Sequence, residues 1–270
     1  MRTFLFHCVA VCLVIAYVNT FVIWQAISNV TSKGFRDAIP FVVIVLLVLI
    51  IVVSAWMRSR QRGAVIGWKY IAAALVVALI GLASTDPAFP AKRIHVPQYL
   101  ILTVLLSFSL PKGLRTNRTL FFVLVAAALY GVHDEFLQGL HDRRTFGVRD
   151  MFINFCGAGA GALAIRAFTS TVGRPALEGA EYRMSKSVGV AIVLIVIGVS
   201  LFASAATGFR YDLLPDWTVL PAIAGAVALA LVLERLPSAG DRAALRPIVV
   251  ICLLFAAYPA AITFAVLEFA

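Results

Sequence analysis

Nine long apolar runs, separated by short polar connections, constrain this chain more than any other feature. They cover about residues 4–27, 40–57, 65–84, 96–110, 118–138, 151–168, 187–207, 217–234 and 247–268. A bilayer core takes about 20 mostly apolar residues as a helix. Each run is read as a membrane-spanning helix. The expected fold is therefore an all-α, polytopic transmembrane helix bundle of about nine spans. Composition agrees: 62% of the 270 residues are hydrophobic, 13% are charged, and the mean hydropathy is +0.97. A water-soluble domain is excluded on that count. The first run follows Arg2 and resembles a signal sequence. It is too long for a signal core and no small-residue cleavage site follows, so it is expected to stay as an uncleaved helix.

The loops set an expected orientation. If they alternate sides, one side takes 15 of the 23 basic residues and the other takes 8. The richer side is cytoplasmic by the positive-inside rule, which puts the N-terminus inside. This bias also accounts for the formal charge of +10 without nucleic acid. The acids gather on the outer side, among them Asp86, Asp134, Glu135, Asp142 and Asp150. The four cysteines, Cys8, Cys12, Cys156 and Cys252, lie within apolar runs and read as small core residues, with no metal-site spacing. Trp24, Trp56, Trp68, Trp217, Tyr211 and Tyr258 stand near run ends and read as interfacial anchors. His7 and Asp86-Pro87 signal no chemistry by themselves.

Ionisable groups near hydrocarbon are costly, so their clustering marks a candidate site. The stretch Tyr130–Leu163 holds His133, Asp134, Glu135, Gln138, Arg144, Asp150 and Asn154 at the ends of two apolar runs. Its His141, Asp142 and Arg143 read as a solvated loop. Lys92, His95 and Tyr99 are spaced to share one helix face, as are Asp134 with Gln138 and Asp150 with Asn154. Asp150 also stands where a helix N-terminus favours an acid. Gly157, Gly159 and Gly161, with Ala158, Ala160 and Ala162, form a small-residue stretch expected to pack a helix closely. No Lys-Ser or Lys-Thr follows it, so it is no phosphate loop.

The pattern Lys92-x-x-His95-x-x-x-Tyr99, then Asp134-Glu135-x-x-Gln138, Arg144, Asp150, Asn154, Gly157 and Gly161, resembles the VanZ-like family. The chain departs from that pattern at Ala91, where the family has Asp, and at Asp142-Arg143, where it has Pro-Gly. The resemblance covers about residues 68–168. It implies a bacterial cell-envelope membrane protein. Founding members are associated with low-level resistance to the glycopeptide antibiotic teicoplanin, and others stand near exopolysaccharide and envelope genes.

The expected organisation is a two-span extension over 1–64, a four-span VanZ-like core over 65–168, a cytoplasmic linker over 169–186 and a three-span extension over 187–270. The candidate reacting groups are His95, Asp134 and Glu135. The candidate binding groups are Lys92, Tyr99, Gln138, Arg144, Asp150 and Asn154. His95 fits a general base, a metal ligand or a hydrogen-bonded structural histidine. Paired carboxylates can divide into acid and base. Arg144 is expected to form an ion-pair frame with Asp150, and Lys92 with Arg93 suits an anionic head group. No metal or other cofactor is expected, and the Ser-Gly-His and Ser-Arg motifs of standard lipid phosphatases are absent. The expected partners are membrane lipids and a lipid-linked envelope precursor or glycan, met at the outer face of the bacterial cytoplasmic (inner) membrane. Two other functions stay open: a transporter or flippase using the carboxylates as a proton relay, and an assembly scaffold.

Overall fold

The structure, a computed structural model, describes residues 2–62, 67–110, 116–141, 144–169, 219–234 and 239–255, with scattered positions between 190 and 208 and the pair 257–258. The chain is all-α. Nine helices are present among the described residues: α1 (Arg2–Val18), α2 (Thr20–Val30), α3 (Lys33–Arg62), α4 (Trp68–Ala83), α5 (His95–Ser107), α6 (Thr116–Gly139), α7 (Val148–Thr169), α8 (Val219–Glu234) and α9 (Ala239–Leu254). A short 3-10 helix, Pro90–Ile94, leads into α5.

Fewer helices have membrane length than the nine runs suggest. Among the described residues, Lys33–Ser54 and Thr119–Gly139 are long and apolar enough to cross. A third span results if Thr3–Val18 and Thr20–Val30, bent by 44°, count as one. The expected single helix over 4–27 is thus broken at Asn19. There Asn19 Nδ2 donates to the Ile15 carbonyl (2.8 Å) and Thr20 Oγ1 to the Ala16 carbonyl (3.2 Å). Such side chains compete with the helical ladder and bend it. Trp68–Ala83, Ile223–Val232 and Leu245–Leu254 are apolar but shorter. The expected linker over 169–186 falls almost wholly outside the described residues, as does most of the run 187–207.

The chain forms two compact units. The first comprises residues 1–109, 115–131 and 149–176, and the second residues 110–114, 132–148 and 177–270. Helix α6 contributes to both, up to Gly131 in the first and from Val132 in the second.

In the first unit, Ile44 of α3, Ala74, Ala78 and Leu82 of α4, Val96 and Leu100 of α5, and Ile153 and Ala160 of α7 make one buried cluster. Glycine brings the backbones together. A Cβ on Gly157 would stand 2.5 Å from the Val96 carbonyl oxygen, and one on Gly161 2.8 Å from that of Leu100. These two glycines, one turn apart on α7, let it lie directly on α5, the small-residue packing expected from sequence. Gly159 turns elsewhere, toward Val77 of α4 at 3.4 Å. Helix α7 carries Asp150 in its first turn and Arg166 in its last, both matched to the helix dipole. Helix α1 belongs to the same unit: His7 Nδ1 is 3.0 Å from the Tyr130 hydroxyl, and the Tyr17 hydroxyl donates to the Gln98 carbonyl (3.1 Å).

Candidate functional site

In the first unit the 3-10 turn before α5 aims Lys92 at the start of α7. Lys92 Nζ and Asp150 Oδ2 are 2.5 Å apart, with side chains 28% and 3% exposed. Asp150 thus has Lys92 as a partner within this unit. The turn Pro90–Ile94 places Lys92 for this contact. Beside the pair, Arg149 Nε donates to the Ser84 carbonyl (2.5 Å) and its guanidinium lies 3.5 Å from Asp86 Oδ2. His95, buried, opens α5.

Tyr99 and Asn154 act on backbone. The Tyr99 hydroxyl donates to the Tyr130 carbonyl and Asn154 Nδ2 to the Gly131 carbonyl, each at 3.2 Å. In an α-helix these carbonyls also face the N–H groups of residues 134 and 135. Helices α5 and α7 therefore grip α6 one turn before its acidic pair. The approach is close: a Cβ on Gly131 would stand 2.9 Å from Asn154 Cβ and 3.3 Å from Tyr99 Cε1.

In the second unit, Asp134, Glu135 and Gln138 are completely buried at the end of α6. The chain turns back after Gly139, with His141 N–H on the Gln138 carbonyl and Arg144 N–H on the His141 carbonyl, each at 3.0 Å. The turn carries the guanidinium onto Gln138 Oε1, with Nε at 3.1 Å and Nη2 also bonded. Gln138 Nε2 in turn donates to Glu135 Oε1 (3.1 Å). A guanidinium only donates, so it takes the amide oxygen and leaves the NH₂ for the carboxylate. The orientation of the amide follows from its partners. The i, i+3 relation between Glu135 and Gln138, read from spacing, is thus a hydrogen bond in the structure.

Two residues carry more than sequence reasoning gave them. His133 Nε2 lies 2.8 Å from the Ile251 carbonyl oxygen and Nδ1 2.8 Å from the Tyr258 hydroxyl. Tyr258 is buried, 7% exposed, and also donates to the His133 carbonyl (3.2 Å). This corrects the reading of Tyr258 as an interfacial anchor. Its place in an apolar run gave no sign of its partner 125 residues away. The Asp134 and Glu135 carboxylates, buried in the second unit, are donor types that a cation would take.

A family model, VanZ/LLP1, matches residues 4–169, more than half of the chain. The chain belongs to the VanZ/LLP1 family. It is a membrane protein. No curated protein and no solved structure matches it. The VanZ/LLP1 match includes every candidate site residue read from sequence. It also reaches back to residue 4, so α1–α3 lie within the family region, beyond the part the motifs alone cover. Ile251 and Tyr258 lie after its end.

Proposed function

We propose that this protein binds and processes an anionic, lipid-linked precursor of the cell envelope, at the polar end of α6 opening to the outer face of the cytoplasmic membrane. One observation carries the reading: the buried relay from Arg144 through Gln138 to Glu135 at the end of a membrane-length helix. A buried carboxylate that accepts from an amide is placed to take and give a proton, and a cation on the same relay suits a phosphate. Glu135 is the group that moves a proton, Asp134 its candidate co-worker, and Arg144 holds the anion. The family setting links such a role to glycopeptide susceptibility.

The test uses the full chain in nanodiscs of neutral phosphatidylcholine, with undecaprenyl phosphate and undecaprenol as probes, read by native mass spectrometry. The expected preference for the phosphate is about tenfold or more, from charge-assisted hydrogen bonds. Arg144→Ala should remove the preference. Glu135→Gln should keep it yet fail to restore teicoplanin tolerance in a deletion strain. Equal retention of both probes by the wild type sinks the reading. A transporter using Asp134 and Glu135 as a proton relay would instead move the phosphate across proteoliposomes only under a proton gradient, and a scaffold would do neither.

A further inference from the structure

The C-terminal helices lie outside the VanZ/LLP1 match, yet they hydrogen-bond to the polar end of α6 through His133. Helix α9 is built to receive it. The regular ladder would give the Ile251 carbonyl to the Phe255 N–H, but Phe255 N–H turns to the Cys252 carbonyl (3.2 Å). The freed carbonyl is taken by His133 Nε2. Phe255 then stacks on the imidazole, with ring centroids 3.8 Å apart and planes 10° apart. Tyr258 closes the far side on Nδ1. The fully buried Phe136, one turn beyond His133 on α6, packs against both aromatic rings at 6.0 and 5.1 Å.

This geometry selects a tautomer. A carbonyl only accepts, so Nε2 carries the hydrogen, and the single Tyr258 hydroxyl hydrogen lies between two acceptors, Nδ1 and the His133 carbonyl. The ring is held on two edges and one face, all from the C-terminal helices. Anchoring a helix in hydrocarbon requires none of this, because an apolar side chain packs there without hydrogen bonds to satisfy. A doubly bonded imidazole fixes rotation about the α6 axis, and the residues that rotation aims are the next two, Asp134 and Glu135.

We propose that Tyr258 is a positioning residue of the candidate site: through His133 it sets the aim of Asp134 and Glu135, so the C-terminal helices complete in this chain a site whose other residues lie in the family region. The inference rests on the reading of the α6 end as the site.

The experiment compares wild type with Tyr258→Phe, which keeps the ring packing and deletes only the hydroxyl. The full chain, labelled with 15N-histidine and held in nanodiscs, reports the His133 tautomer by NMR, with assignment by His133→Asn among the four histidines. In parallel, dicyclohexylcarbodiimide in the same nanodiscs labels buried carboxylic acids, read by peptide mass spectrometry. In Tyr258→Phe the His133 Nδ1 resonance should move away from its hydrogen-bonded position. Carbodiimide labelling at Asp134 and Glu135 should change by about five- to tenfold, the worth of one net hydrogen bond, while labelling of Asp150 stays as in wild type. If Tyr258→Phe does not accumulate, His133→Gln keeps an N–H for the Ile251 carbonyl, removes the Tyr258 contact, and should change the labelling in the same way. Wild-type NMR and labelling in Tyr258→Phe, or in His133→Gln, overturn the inference. A wild type that shows these changes on mutation but no phosphate preference overturns the proposed function alone.

Discussion

Helices α3 and α6 are both long enough to cross a membrane, and they solve opposite problems. Of the best membrane-length window in α3, 11% is buried, against 61% in α6. Val42, Val45, Leu46, Leu49, Ile50 and Val53 form an exposed stripe on α3, at the spacing of one helix face. Helix α6 buries Phe122, Val123, Ala126, Ala127 and Leu129, and then His133, Asp134, Glu135 and Gln138 as well. Burial in a membrane is no reward for being apolar, because lipid is as apolar as leucine. The helix that neighbours enclose is the one that can carry polar groups, since those neighbours supply their partners. The difference between α3 and α6 is thus a difference in hydrogen-bonding company more than in hydrophobicity.

The largest effect should come from removing such company. Asp150→Asn leaves Lys92 without its counter-charge and should cost about 3 kcal/mol of stability in detergent melts. Adding Lys92→Gln should restore part of the loss, and a double variant no better than the single would dissolve the pair. Gly131→Leu comes next. A side chain there meets Asn154 and Tyr99 at once and should cost about 2 kcal/mol by overpacking, seen as a lowered Tm. Unchanged melting would mean that α6 can move off α5 and α7. Leu49→Ala, in the open stripe of α3, should stay within about 0.5 kcal/mol. A large loss there would erase the contrast between the two helices.

The all-α membrane class, the family and the identity of the polar residues were legible, because hydropathy and short-range spacing report on single helices. Glu135 with Gln138, three residues apart, shows this at the level of one bond. Partners far apart in sequence were not legible. Lys92 and Asp150 are separated by 58 residues, and only the intervening turn and helix packing join them. The break at Asn19 was also missed. Its side-chain bonds to the preceding turn use residues that blend into an apolar run and shift its hydropathy little. Tyr99 and Asn154 were read as ligand contacts because polar groups in a site suggest a ligand. In the structure each also holds a backbone carbonyl of α6.

The seating of Gly157 and Gly161 on α5 has a mechanical consequence. With backbone against backbone and no side chain between, the α5–α7 pair has little compliance. Sliding one helix on the other by a residue would drive Ala158 or Ala162 into the space that only a glycine fits. The pair therefore behaves as a stiff plate, and a sliding motion between α5 and α7 themselves is barred.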